Sequence, residues 1–219
     1  YYSIPEAARL AQVSTWRIRR WMRGYAFRTR SGSASSPPVW RHDLSALDGR
    51  DALSFRDLME VRAVDAFLRR GIRWKYLRAA AAKAYRDWNL THPFSSGRFL
   101  TDGRSLFVEQ AQRSRERDLM EVVRSQLAFR QVLAPYLFGA EFGGDAAVRW
   151  WPLGLRRQVV IDPQRSFGQP IVVREGVPTR ALFAAWLANR SLGLVARWYE
   201  VNLGAVRDAT RFEKQRASA

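Results

Sequence analysis

Residues 2–24 read Tyr-Ser-Ile-Pro-Glu-Ala-Ala-Arg-Leu-Ala-Gln-Val-Ser-Thr-Trp-Arg-Ile-Arg-Arg-Trp-Met-Arg-Gly. Ser3 is placed to cap a helix, Pro5 suits its first turn, and Glu6 favours the positive helix end. Ala7, Ala8 and Ala11 let a second helix approach closely. Gln12-Val13-Ser14 is a short turn in which Val13 plugs the corner. Ser14 or Thr15 then caps a second helix that runs to Arg23. Ile18 and Trp21 are three apart and share the face that packs on the first helix. The outer face carries Trp16, Arg17, Arg19, Arg20 and Arg23. Two short helices, a tight turn and a basic second helix predict a helix-turn-helix.

The charge of the chain agrees with that reading. Its 219 residues hold 37 basic against 20 acidic side chains, a net charge of +17. The first 30 residues alone carry seven Arg against one Glu. A phosphate-rich partner is the first reading of such a bias. Lysine is nearly absent, only Lys75, Lys83 and Lys214, so the arginines partly reflect a compositional preference. With no cysteine there are no disulfides, no thiol catalysis and no thiolate metal sites. Hydrophobic residues make up 47%, which fits a globular protein and not a disordered tail. No apolar run approaches membrane-spanning length. The helix-turn-helix begins at once and leaves no sign of a targeting signal, so the expectation is a cytoplasmic protein.

The stretches Tyr2 to Ala8, Val13-Ser14 and Arg19-Arg20-Trp21, with Gly24 after them, resemble the N-terminal helix-turn-helix of the MerR family. The resemblance implies that the second helix enters the DNA major groove and that a wing follows it. Phe55 to Ile72 looks like the second helical pair of such domains, which widens the resemblance to roughly residues 2–78. It places Ser14, Thr15, Trp16, Arg17, Arg19, Arg20 and Arg23 at the DNA, with Arg28 and Arg30 where wing phosphate contacts fall. Arg17, Arg20 and Trp16 are expected to face bases; Arg19, Arg23, Arg28 and Arg30 mostly hold phosphates.

Further along, Phe27 to Arg30 reads as a short strand, Ser31 to Pro38 as a flexible linker, and Val39 to Leu47 as the close of the wing. Ser54 caps a helix with the stripe Leu58, Val61, Val64 or Asp65, and Leu68, stopped by Gly71. Arg73 to Asn89 carries a seam of Trp74, Leu77, Ala81, Ala84 and Trp88. Asp102-Gly103 between apolar runs predicts a β-hairpin over Arg98 to Glu109, because a type I′ turn needs positive φ at both central residues. Arg113 to Phe138 is the longest helical stretch, and with the hairpin it makes a plausible homodimer module. Gly139 to Asp145 reads as a glycine-rich acidic loop and a domain boundary. Trp150 or Trp151 is expected to anchor one domain to the next.

At the C-terminal end, Ile161-Asp162-Pro163, Gly168 to Val172 and Gly176 to Thr179 precede three helices. Leu182, Phe183, Trp186 and Leu187 form the inner face of the first. Leu194, Val195, Trp198 and Tyr199 mark the second; Leu203, Val206, Ala209 and Phe212 mark the third. The spacing from Val195 to Val206 is itself that of a helix-turn-helix. These pieces resemble a small bacterial domain found in VapB-type antitoxins and in genes beside PIN-like ribonucleases. The chain departs from it at Arg174-Glu175-Gly176 and Asn189-Arg190-Ser191. The resemblance implies two tasks, repression of the protein's own operon and masking of a toxin ribonuclease. Arg207, Arg211, Lys214 and Arg216 are the residues expected to reach the toxin, since an inserted Arg can pair the carboxylates of a nuclease metal site.

Nothing assembles a catalytic site. His42 and His92 are isolated and read as capping or loop residues. Asp57, Glu60 and Asp65 share one helix and read as surface charge, short of the converging carboxylates a nuclease needs. The prediction is therefore a mainly α protein that is not an enzyme and takes no metal or cofactor. Residues 1–90 form a MerR-like winged helix-turn-helix, 91–145 a hairpin and long helix, and 146–219 a three-helix unit like a helix-turn-helix. The function it implies is a type II antitoxin, a homodimer that binds operator DNA and neutralises a PIN-like ribonuclease toxin. The alternative is a MerR-like regulator without a toxin, sensing a small molecule near Trp74, Trp88 and Phe129.

Overall fold

The structure is a computed structural model that describes residues 1–29, 32–44, 51–99 and 139–217. The chain divides into two compact units, one N-terminal and one C-terminal. Most of the regular structure among the described residues is helical.

In the N-terminal unit, strand β1 (Tyr2–Ser3) leads straight into helix α1 (Ile4–Ala11). Ser3 and Glu6 form a capping box, and Pro5 sits in the first turn. Gln12 ends α1 in the left-handed conformation, and Ser14 caps helix α2 (Thr15–Arg23). Val13 is buried in the corner, and Ile18, Trp21 and Met22 form the inner face of α2. Gly24 turns the chain into a two-stranded wing, β2 (Tyr25–Thr29) and β3 (Gly32–Ser36). The strands run antiparallel, with Tyr25 opposite Ser36 and Thr29 opposite Gly32.

The wing differs from the sequence expectation. Gly32–Ser36, read as a flexible linker, is its second strand, and the described part of the stretch expected to close it, residues 39–44, holds no strand. Val39 and Trp40 instead turn inward and are buried, and the Val39 amide donates to the Trp21 carbonyl at 2.9 Å. A run of Ser and Gly is weakly patterned, so its pairing is set by the partner strand more than by its own side chains. Strand β4 (Ala52–Leu53) pairs with β1 and delivers the chain to helix α3 (Phe55–Arg69). Helix α4 (Trp74–Trp88) follows; Leu77, Ala81 and Ala84 are buried as the seam predicted, with Tyr76 and Ala80 added. Trp74 lies edge-on to Trp21, their ring centres 5.7 Å apart.

The C-terminal unit holds a four-stranded sheet in the order β5 (Ala140–Gly143), β6 (Ala146–Trp150), β7 (Val159–Ile161) and β8 (Pro170–Val172). Gly139 to Asp145, expected as a loop, thus supplies a strand. Three helices follow, α5 (Thr179–Asn189), α6 (Leu192–Trp198) and α7 (Leu203–Ala217). Their core joins Val172, Leu182, Val195, Val201, Val206 and Ala209. Leu187, expected on the inner face of the first helix, is 43% exposed; Trp198 and Leu203, which mark the second and third, are 57% and 45% exposed. The hairpin about Asp102-Gly103, the long helix from Arg113 to Phe138, and Phe129 lie outside the described residues.

Candidate nucleic-acid interface

The site begins at the cap of α2. The Arg17 amide donates to Ser14 Oγ at 3.4 Å, and Thr15 is the first helical residue. Free amides at a helix start attract anions. Trp16, the next residue, is 61% exposed.

Arg20 is held in place by rings. Its guanidinium carbon lies 3.4 Å from the centre of the Tyr25 ring and 4.4 Å from that of Trp16. The Tyr25 hydroxyl is drawn below the usual phenol range by its hydrogen bond with Arg20, and by a second with Ser36. Helix α2 and the β2–β3 hairpin therefore meet at one stacked cation. This fixes the rotamers of a long side chain before any ligand arrives.

The other arginines sort into two groups. Arg17 pairs with the nearly buried Asp65 of α3 at 2.8 Å and lies 4.9 Å from the Trp21 ring centre. Arg23 holds Asp51 with Nε at 3.0 Å and Nη2 at 2.8 Å. Both reach acidic partners brought from later segments, Arg17 with its side chain about a third exposed and Arg23 with its side chain still 60% exposed. Arg19 and Arg28 are exposed and have no carboxylate partner among the described residues. Arg30 lies outside the described residues. Sequence reasoning missed Asp51 and Tyr25 as partners. The signal for Asp65 was present, since it interrupts the apolar stripe of α3.

Behind this surface, the acidic residues of α3 are not surface charge. Asp57 and Glu60 are fully buried and Asp65 nearly so. Asp57 closes the capping box of α3 with Ser54, and its Oδ1 accepts from Trp40 Nε1 at 2.8 Å. The same oxygen meets His92 Nε2 at 2.9 Å. Burial pushes Asp57 up, but hydrogen bonds from His92, Ser54 and Trp40 outweigh it and hold the carboxyl below its usual range. Glu60 accepts the amides of Phe94 and Ser95 at 3.1 and 2.8 Å; burial raises its pKa to about 7, against the pull of His92 and those donors. His92 is buried, not a solvated loop residue. Asp43, Asp57 and His92 bring ligand atoms within 4.8 Å of one another. Both Asp57 oxygens are already taken by protein donors, Oδ2 by the Ser54 amide at 2.9 Å. The cluster reads as a polar clamp between the entry of α3 and the segment after α4.

In the C-terminal unit, three of the four candidate toxin contacts come together. Arg207, Arg211 and Lys214 line a groove of about 420 Å³ with Trp186 and Leu192. Lys214 Nζ lies 4.2 Å from the Trp186 ring centre. Arg216 is turned away to Glu213 at 2.9 Å, and Glu213 also accepts from Thr179.

No protein-family model matches the chain. It is 26% identical over 223 residues to the protein named "Putative antitoxin VapB45" from Mycobacterium tuberculosis, covering 95% of this chain and 91% of that one. Its fold matches the crystal structure of Rv2018 from the same organism with a TM-score of 0.71 and 23% identity, over 95% of this chain and 96% of that one. Among the described residues no helix is long and apolar enough to cross a membrane.

Proposed function

We propose that this protein is the antitoxin of a type II toxin–antitoxin pair. It binds and represses its own operator as a cytoplasmic homodimer and neutralises a PIN-like ribonuclease. The observation that carries the DNA half is the surface shared by α2 and the wing, where stacked Arg20 lies among the open cations Arg19 and Arg28. Trp16 and Arg20 read base edges in a major groove, while Ser14, Thr15, Arg19, Arg28 and Arg30 hold phosphates. Arg17 and Arg23 keep the helix at its angle through Asp65 and Asp51. Similarity to VapB45 across nearly the whole of both chains supports the toxin half. There the groove of Arg207, Arg211 and Lys214 takes the acidic surface of the nuclease.

The test is co-expression with the product of the neighbouring open reading frame, then size exclusion, an RNA cleavage assay, and a gel shift on the protein's own promoter. A stable complex with silenced cleavage and a shifted promoter fragment is expected. A nuclease that cleaves at full rate beside a tenfold excess of this protein sinks the antitoxin reading.

A further inference from the structure

The N-terminal unit carries a second feature, used by neither DNA nor toxin binding. A cavity of about 610 Å³ opens between α4 and the segment that leaves the wing. Pro37, Pro38 and Val39 line it from that segment, and Ala81, Ala82 and Tyr85 from α4. The space follows from the sequence: two successive alanines leave room where larger side chains would fill it, and two successive prolines stiffen the facing wall. The volume is that of a site for a small organic molecule.

Its polar groups are all basic or neutral. Arg41, His42 and Arg78 line the cavity, and no Asp or Glu does among the described residues. The Arg41 guanidinium lies 4.0 Å from the Tyr85 ring centre and donates to its hydroxyl at 2.5 Å. Arg78 Nη1 donates to the Pro37 carbonyl at 2.6 Å. Burial lowers the pKa of Arg78, against the pull of Tyr25. Neither guanidinium has a carboxylate partner among the described residues, and each keeps donors to spare. Apolar walls, one ring already stacked under a cation, and two uncompensated positive charges ask for one kind of ligand.

We propose that this cavity binds a small organic anion with a flat apolar body, an arene carboxylate in class. The ring packs against the prolines and alanines, and Arg41 and Arg78 supply the countercharge. The wall is tied to the recognition helix through the Val39 amide on Trp21, so the ligand seats against the segment that sets the wing.

The probe is 2-naphthoate, with neutral 2-naphthamide as control, followed on the full chain by calorimetry and ligand-observed NMR. Saturable binding of naphthoate is expected, with naphthamide weaker by roughly 10- to 100-fold because each charge-assisted bond is lost. Ala82→Trp fills the cavity from an exposed position on α4 and is expected to abolish binding while circular dichroism stays unchanged. Arg41→Gln is expected to bring naphthoate down toward the affinity of the amide. Equal affinity for acid and amide overturns the proposal. So does undiminished binding to a folded Ala82→Trp protein, or no naphthoate binding at all.

Discussion

Arg20 shows what one residue can do by being held still. Between Tyr25 and Trp16 it keeps the flat stacking that only a guanidinium supports. Arg20→Lys retains the charge and loses both the stack and any bidentate grip. It is expected to weaken operator binding by about 1–3 kcal/mol while non-specific binding changes little, read by gel shift on operator and scrambled DNA. Equal weakening on both fragments removes the base-reading role. Arg17→Ala behaves differently, because it strips a partner from nearly buried Asp65, which among the described residues then keeps Arg69 at 2.5 Å. Since Arg17 is about a third exposed, about 1 kcal/mol of stability is expected to go, measured as a fall in the urea midpoint. Glu60 adds a pH dependence. Its folded pKa of about 7 stands above the ordinary 4.5, so between those values the folded protein binds more protons than the unfolded chain. Stability is full below about 4.5 and falls as the pH rises through 7, by about 3 kcal/mol. Asp57, shifted the other way, acts only below its ordinary 3.8, so the two windows do not overlap. Glu60→Gln is expected to flatten the urea midpoint between pH 4.5 and 7; an unchanged slope assigns it to another group.

At the scale of elements, the joint between α2 and the wing is the tightest point. Gly24 has φ of +74°, and a Cβ there would lie 2.3 Å from the Ser36 carbonyl oxygen. Gly24→Ala therefore suffers backbone strain and a clash with backbone that cannot move alone. A loss of roughly 1–3 kcal/mol is expected in urea denaturation, with the register of β2 and β3 shifted in backbone NMR. A substitution without effect on either would mean that the wing is free to pivot. The elements made by local rules were legible in the sequence. Ser3 and Ser54 cap the helices they were expected to cap, and of Ser14 and Thr15 it is Ser14 that caps α2, because a side chain bonding an amide three residues on needs no tertiary partner. What the sequence hid depends on distant partners. Gly32–Ser36 is a strand only because Tyr25–Thr29 lies beside it. Asp57, Glu60 and His92 look like surface residues until Trp40 and the Phe94 and Ser95 amides are brought to them from elsewhere in the chain. The candidate DNA surface was legible in type, since α2 carried its arginines on the page. Which of them are ion-paired was not, because Asp51 and Asp65 arrive from later segments.

For the whole molecule, a net charge of +17 sets the background against which each site must be tested. Such a chain binds any polyanion at low salt, so a gel shift alone says little about an operator. The salt dependence carries more. Arg28 is an open wing cation, and Arg28→Ala is expected to lower the slope of log K against log salt by about one unit per subunit, with specificity intact. The division of labour between the units gives a sharper test. If α2 serves DNA and the groove beside Trp186 serves the toxin, the two losses separate. Arg19→Ala with Arg20→Ala is expected to abolish promoter binding while inhibition of the nuclease persists. Arg207→Glu with Arg211→Glu is expected to release the nuclease while promoter binding persists; both residues are exposed on α7, so the fold is not at stake. Charge reversal is the right change there, because the proposed partner surface is acidic and repulsion costs more than the absence of a bond. Two arms that fail together, each variant losing both activities, would mean that DNA and toxin share one surface. Inhibition untouched by the α7 pair would move the toxin site to the exposed apolar residues Leu187, Trp198 and Leu203.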